Sequence, residues 1–306
     1  MLEIKNSSNW LSCDKIAKGW SSDEKYKIKT LDGQTLLLRI SDISTYDYKK
    51  KEFEIIEKYS NLGFPMSSPI DFGICNEGKN CYMLLTFVEG KDLEEALPQL
   101  SEKEQYLLGR EAGEILRKIH SITLDECDIP TQTKRERKLW QLSRYEEATH
   151  LRVENDEDAI SYAKNNIDLI WRKNPVYQHG DFHPGNLIYM PDGQIGVIDF
   201  NRWEVGDPYE EFYKLESFGI DVSVPYSIGQ IDAYFEDKVP EDFWGALAVY
   251  CAWSALFSIK WAEQFGQKDI DGMVERCKRA FENYDGFNSN VPKWYNADLK
   301  KKFVCF

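Results

Sequence analysis

The stretch HGDFHPGNL, residues 179–187, gathers His179, Asp181, His183 and Asn186 around a proline and a glycine, then runs into an apolar segment. Two of the chain's four histidines lie in it. Three kinds of chemistry draw on residues of these types. Two imidazoles and a carboxylate can ligate a transition metal. Pro184-Gly185 can make a plain turn. An acid close to a carboxamide also suits phosphoryl transfer. That reaction asks little covalent chemistry of a protein. It needs one carboxylate to orient an acceptor hydroxyl and hard oxygen ligands to hold Mg2+ at the phosphates.

The residues downstream of the stretch discriminate among the three. His179-Gly180-Asp181 through Asn186 has the spacing H-x-D-x-x-x-x-N, and GQIGVIDF then ends in Asp199-Phe200. A loop of this spacing followed by a strand ending in D-F is the kinase arrangement. Pro191-Asp192-Gly193 is a turn signal, and the hairpin it predicts returns Asp199 to the side of Asn186. A metal cluster lacks a downstream ligand, because His120 and His150 fall in upstream helical segments. A turn explains the proline and glycine but not the acids at both ends.

The elements that must position these residues read as two lobes. LSCDKIAKG, EKYKIKT and QTLLLRIS are short strand-like runs, with Asp32-Gly33 as a hairpin signal between the second and third. In DYKKKEFEIIEKYSNLG, residues Phe53, Ile55, Ile56 and Tyr59 share a helical face, and Gly63 stops it. SPIDFGIC and KNCYMLLTFV give two more strands. FVEGKDLEEALP then reads as a linker. Beyond it Ser101 and Glu104 form a capping-box start. Helices are expected over 101–122, from about 134 to 150 and from 156 to 172. The quoted loop then opens a hairpin, and the rest to about 284 is mainly helical. The expected division is residues 1–87 as a nucleotide-binding lobe, 88–98 as the linker, and 99–306 as a helical lobe carrying the loop and the acceptor site. A polar tail ending KKKFVCF is expected to be poorly ordered.

HGDFHPGNL together with GVIDF resembles the aminoglycoside phosphotransferase family, the antibiotic and small-molecule kinases. The resemblance spans roughly residues 10–285. It implies an α+β, protein-kinase-like two-lobe fold, with a small β-rich N-terminal lobe and a larger mainly helical C-terminal lobe. It implies Asp181 as the catalytic base, and Asn186 and Asp199 as the ligands of Mg2+. His179 would brace the loop, the role of His183 is left open, and Asp207 in WEVGDPYEEF would fix loop and helix positions. LLLRIS puts Arg39 where such kinases carry a lysine, and it is expected to grip the nucleotide's phosphate, with Glu52, or Glu54, as its acidic partner; an Arg–Glu pair without nucleotide contact is the alternative. Ser21 and Ser22 in GWSSDEKY would lie over the phosphates, and backbone groups at Thr86 and Val88 would meet the purine. The donor is ATP or GTP.

Composition bounds the partners. The chain has 306 residues and a formal net charge of -14. Nucleic acid and anionic membranes reward basic patches, so neither is an expected partner. The apolar block from Ala248 is interrupted by serines and reads as a buried helix. The N-terminus has no apolar leader. Seven cysteines without C-x-x-C spacing fit reduced, buried thiols. A soluble cytoplasmic protein is expected. The acceptor is expected to be a hydroxylated, cationic small molecule, an aminoglycoside first. Glu204 is the candidate contact, because it comes just after the metal-binding strand. Macrolide, choline and sugar kinases are alternatives, as is a nucleotide-binding pseudokinase without turnover.

Overall fold

Strand alternation builds the first part of the chain. In the computed structural model, which describes residues 4–17 and 23–304, β1 (Trp10–Ile16), β2 (Glu24–Thr30), β3 (Thr35–Asp42), β4 (Pro69–Cys75) and β5 (Asn80–Thr86) form one antiparallel sheet. Its order is β1-β2-β3-β5-β4. Ile28, Leu36, Leu38, Ile40, Tyr82 and Leu84 make a buried cluster on one face, with Trp10 and Tyr26 packed against it. Residues directly opposite each other in an antiparallel pair share a face. Lys25 and Arg39 are such a pair across β2 and β3, at the alternate positions. Helix α1 (Tyr46–Ser60) buries Ile55, Ile56 and Tyr59, as its periodicity predicts, and Glu52 with them.

By its contacts the chain forms two compact units: Met1–Leu93 with Gly185–Trp203, and Glu94–Pro184 with Glu204–Phe306. The linker stretch after β5 carries β6 (Lys91–Asp92) and the short helix α2 (Leu93–Ala96). Strand β7 (Val176–Gln178) belongs to the second unit. The hairpin of β8 (Leu187–Tyr189) and β9 (Ile195–Val197) belongs to the first, whereas the sequence pattern assigns it to the second lobe. The reason is backbone pairing. β8 pairs with β6, Val197 donates its N–H to Pro65 O at 2.9 Å, and Ser67 donates to Val197 O at 3.0 Å.

The second unit is helical. It holds α3 (Glu102–His120), α4 (Arg135–Glu147), α5 (Asp156–Asn165), α6 (Ile220–Val222), α7 (Val224–Tyr234), α8 (Glu241–Ala262), α9 (Gln267–Asn283) and α10 (Ala297–Val304). β7 pairs with β10 (Glu204–Gly206) as a small antiparallel ribbon. The capping box is present: Ser101 and Glu104 each bond the other's backbone N–H. α3 and α7 pack almost backbone to backbone through glycines. A Cβ at Gly109 would lie 2.0 Å from Tyr226 O, and one at Gly229 would lie 2.3 Å from Tyr106 O. α8 is apolar on nearly every side, the pattern of a core helix. It is long and apolar enough to cross a membrane, but 78% of its apolar window is buried inside the unit. The tail differs from expectation. Ala297–Val304 is helical, and Phe303 is buried against the Tyr106 ring at 5.6 Å. One aromatic side chain in an otherwise polar run docks it.

Candidate active site

In the first unit, the expected partnership of Arg39 and Glu52 is present, and two further residues join it. Arg39 Nη1 donates to Glu52 Oε1 at 2.6 Å, while Nη2 and Nε donate to Asp23 Oδ2 at 2.6 and 3.2 Å. Lys49 Nζ reaches Asp23 Oδ2 at 2.7 Å and Glu52 Oε2 at 3.1 Å. Ser41 donates to the other oxygen of Asp23 at 2.8 Å. The quartet balances two cations against two carboxylates, and none of the four side chains is more than 9% exposed. Burial would raise the Asp23 carboxyl, but the Arg39 guanidinium and the Lys49 ammonium hold it down at about 2. Burial likewise works against the charge of Arg39, yet Glu52 and Asp23 raise its pKa above the ordinary value. Helix α1 presents Glu52 and Lys49 from consecutive turns, three residues apart, and so both face β3.

The β8–β9 hairpin brings Asn186 and Asp199 to one end, as its turn predicts. Ile198 donates its N–H to Asn186 O at 3.2 Å. Asp199 adopts φ 63, a left-handed conformation that non-glycine residues seldom take and that clusters at functional sites. Its Oδ2 lies 3.1 Å from Lys25 Nζ. Its Oδ1 is buried with no hydrogen-bond partner among the described residues. A lone buried carboxylate oxygen is costly, and a neighbouring carboxamide adds a second hard ligand. This donor set fits Mg2+.

At the end of β5, Thr86 donates its N–H to Ser68 O at 2.8 Å and Phe87 donates to Thr35 O at 3.1 Å. Backbone groups alternate sides along an extended chain. The Thr86 N–H therefore faces Ser68 and the Phe87 N–H faces β3. Val88 is closely backed, since a Cβ on Gly196 would lie 2.4 Å from its Cγ1. Ser21 and Ser22 lie outside the described residues.

In the second unit, Asp181 is held by a residue that the motif does not contain. Lys214 Nζ donates to Asp181 Oδ1 at 2.5 Å, and the lysine side chain is 5% exposed. His183 Nε2 lies 3.6 Å from the same oxygen, and its ring stacks on Phe218 at 4.9 Å. His179 is fully buried and accepts the Asp181 N–H at Nδ1, 3.3 Å away, which is a bracing contact. Glu211 accepts the Gly180 N–H at 2.8 Å and lies 3.9 Å from His120 Nε2. Burial would raise Glu211, but these imidazoles and the backbone donor keep it low. A π-helical turn, Leu215–Gly219, comes directly after Lys214. Such wide turns recur at functional sites. Asp207 is an anchor: it accepts N–H bonds from Trp171 and Tyr209 and the Tyr250 hydroxyl, and burial raises its carboxyl.

The acids that the sequence offers to a cationic acceptor are already engaged. Glu204 accepts from Lys134 at 2.5 Å and from Arg137 at 3.2 Å. Burial acts to raise it, and these cations lower it overall. Glu210 is paired with buried Lys138, whose Nζ also sits 3.6 Å from the centroid of the Trp253 ring. Burial drives both members of that pair toward their neutral forms. Glu210 Oε2 and Trp253 Nε1 are buried without hydrogen-bond partners among the described residues. Sequence reasoning missed Asp23, Lys25, Lys49, Lys138 and Lys214. For Lys25 the signal was misleading, because a two-residue Asp32-Gly33 turn would set it opposite Ile40 and not Arg39. For Lys214 there was none, because it meets Asp181 across 33 residues.

Known proteins share this architecture. The phosphotransferase enzyme family matches residues 12–268. Aminoglycoside 3'-phosphotransferase of Niallia circulans is 25% identical over 217 residues, covering 69% of this chain and 79% of the relative. The GDP complex of aminoglycoside 2'-phosphotransferase-IIIa superposes with a TM-score of 0.70 at 14% identity, covering 90% of this chain and 94% of that one. The amicoumacin kinase hAmiN, in complex with AMP-PNP, Ca2+ and Ami, gives 0.64 at 12% identity, with 91% and 90% covered.

Proposed function

Taking as premise that this chain belongs to the phosphotransferase enzyme family, we propose that it transfers the γ-phosphoryl group of ATP or GTP to a hydroxyl of a small molecule. The observation that carries the reading is the Asp181 carboxylate, partly open, gripped at one oxygen by Lys214 and set five residues before Asn186. A carboxylate fixed in this way accepts the hydroxyl proton as the acceptor's O–P bond forms and the bond from the γ-phosphorus to the departing nucleoside diphosphate breaks. Lys214 keeps it oriented, His179 braces its backbone, and Asp207 and Glu211 hold the surrounding segments.

In the first unit, Asp199 and Asn186 would hold Mg2+, which when bound supplies positive charge at the phosphates. Asp199 Oδ1, left without a protein partner among the described residues, supports that role. The Thr86 carbonyl and Val88 N–H offer one acceptor and one donor to a purine edge. Arg39 and Glu52 order the strand and helix beneath the phosphates, and Ser21 and Ser22 are proposed to cover them. We place the reaction in the cytoplasm, where the donor is found.

An aminoglycoside heads the acceptor candidates because of what the relatives are called. The acids of this chain add little to it, since Glu204 and Glu210 are held by Lys134, Arg137 and Lys138. Glu204 stays in the proposal as a weak acceptor contact. Glu210 Oε2 and Trp253 Nε1 are better placed to receive polar groups, being buried and unsatisfied among the described residues. The test is nucleoside diphosphate release by purified protein with Mg2+ and ATP or GTP, against aminoglycosides, macrolides, choline, sugars and hydroxy acids. Release that depends on one acceptor, with a phosphorylated product seen by mass spectrometry, supports the reading. Tight nucleotide binding without release for any acceptor would favour the pseudokinase alternative.

A further inference from the structure

Arg39, the cation at the kinase lysine's position, has little left to offer a nucleotide. Three of its nitrogens already donate to Glu52 and Asp23, and its side chain is 3% exposed. Withdrawing it would take one of the quartet's two cations from two buried carboxylates, which is costly. Lys25 differs in every respect. It stands directly across from Arg39 on the same face of the sheet. Its ammonium lies 3.1 Å from Asp199 Oδ2, and the two side chains are 14% and 25% exposed. This single contact is more exposed than the quartet's four, and so is the easier to exchange. Lysine is also a point charge on a flexible stem, able to swing from one oxygen to another.

We propose that Lys25 is the phosphate-binding cation of this protein, resting on Asp199 in the free chain and passing to a phosphate oxygen when the nucleotide binds. Arg39 is then the buried brace that sets the height of the strand. The exchange suits Asp199, which gives up its lysine as it takes up its ligand role. It also suits Lys25, because a phosphate oxygen beside a buried sheet face is a stronger partner than one shared carboxylate oxygen. The proposal rests on the phosphotransferase reading above.

The test is calorimetric titration of the full chain with ATP and GTP plus Mg2+, and separately with adenosine and guanosine. Wild type is compared with Lys25→Met, Lys25→Gln and Lys25→Arg. Losing one charge-assisted contact predicts triphosphate binding weaker by about tenfold to a hundredfold in the Met and Gln variants. Nucleoside binding should be unchanged, and Arg should restore most of the loss. Thermal unfolding identifies which neutral variants are folded, and two are made so that one suffices. Neutral variants that bind triphosphate as wild type does would overturn the Lys25 assignment and leave the phosphotransferase reading intact. Equal loss of triphosphate and nucleoside would overturn it too, by showing a structural role. A wild type that binds no triphosphate would remove both.

Discussion

The charges of the first unit and those around Asp181 in the second are built on opposite plans. Arg39, Lys49, Asp23 and Glu52 form a closed set in which each carboxylate meets both cations and each cation meets both carboxylates. Asp181 has one buried lysine on one oxygen and a histidine farther off, with the side chain still 16% exposed. Closed sets of buried charge fix a structure, because removing any member strands the others. More exposed groups rearrange around a ligand at lower cost. Asp199 has the open plan within the first unit, with Oδ2 on Lys25 and Oδ1 unsatisfied among the described residues. Commitment of charge therefore separates buried, mutually paired residues from the more exposed ones within each unit.

That distinction can be broken by substitution. The largest effect is expected at the open carboxylate of the second unit. Asp181→Asn should lower acceptor-dependent transfer by about a hundredfold to ten-thousandfold, the range of a positioned general base, with the protein still folded at the assay temperature. In the closed quartet the loss should fall on stability instead. Glu52→Gln should cost about 3–5 kcal/mol in chemical denaturation, because Arg39 and Lys49 would remain buried and underpaired. Lys214 tests the boundary between the plans, being buried yet attached to the open acid. Lys214→Met should lower kcat by about tenfold to a hundredfold, the worth of one charged hydrogen bond, with the KM for nucleotide unchanged. A variant that instead only melted earlier would move Lys214 to the structural group.

Acid should draw stability from the quartet only at low pH. The Asp23 carboxyl sits at about 2 in the folded protein against an ordinary 3.8. A depressed folded pKa gives stability that is fully present above the unfolded value and lost as pH falls through the folded one. Asp23 should therefore account for about 2 kcal/mol lost between roughly pH 4 and pH 2. Urea midpoints of wild type and Asp23→Asn across that window should converge as the pH drops. The smallest effect is expected at Glu204, a partly exposed carboxylate with two cations. Glu204→Gln should change stability by less than about 1 kcal/mol and leave nucleotide affinity unaltered. A raised acceptor KM would show that it meets substrate directly.

Much of this was legible from local pattern. The five strands, the α1 face, the capping box at Ser101 and the hairpin between Asn186 and Asp199 all come from short apolar or β-branched runs, helical spacing and turn residues. The roles within the sheet were harder to read, because register turns on a single residue. Asp32-Gly33 marks a hairpin, but a two-residue loop would set Lys25 opposite Ile40. The structure instead closes a three-residue loop, with Thr30 N–H on Gln34 O at 3.0 Å, and this sets Lys25 opposite Arg39. Long-range partners were not legible at all. Nothing local in KLESF tells Lys214 that its acceptor is Asp181. Nothing in NRWEVG tells Glu204 that Lys134 and Arg137 will neutralise it, so its negative charge looked available. The unit to which the β8–β9 hairpin belongs was likewise decided by pairing with Lys91–Asp92, far away in sequence.

The most direct test of the account compares two carboxylates of the same short stretch, one in each unit. Mg2+-dependent nucleotide affinity and the acceptor-dependent transfer rate would be measured on Asp199→Asn and Asp181→Asn. The account predicts that Asp199→Asn loses both, while Asp181→Asn binds nucleotide as wild type does and loses only transfer. Equal loss of nucleotide affinity in the two variants, or transfer that survives in Asp181→Asn, would contradict it.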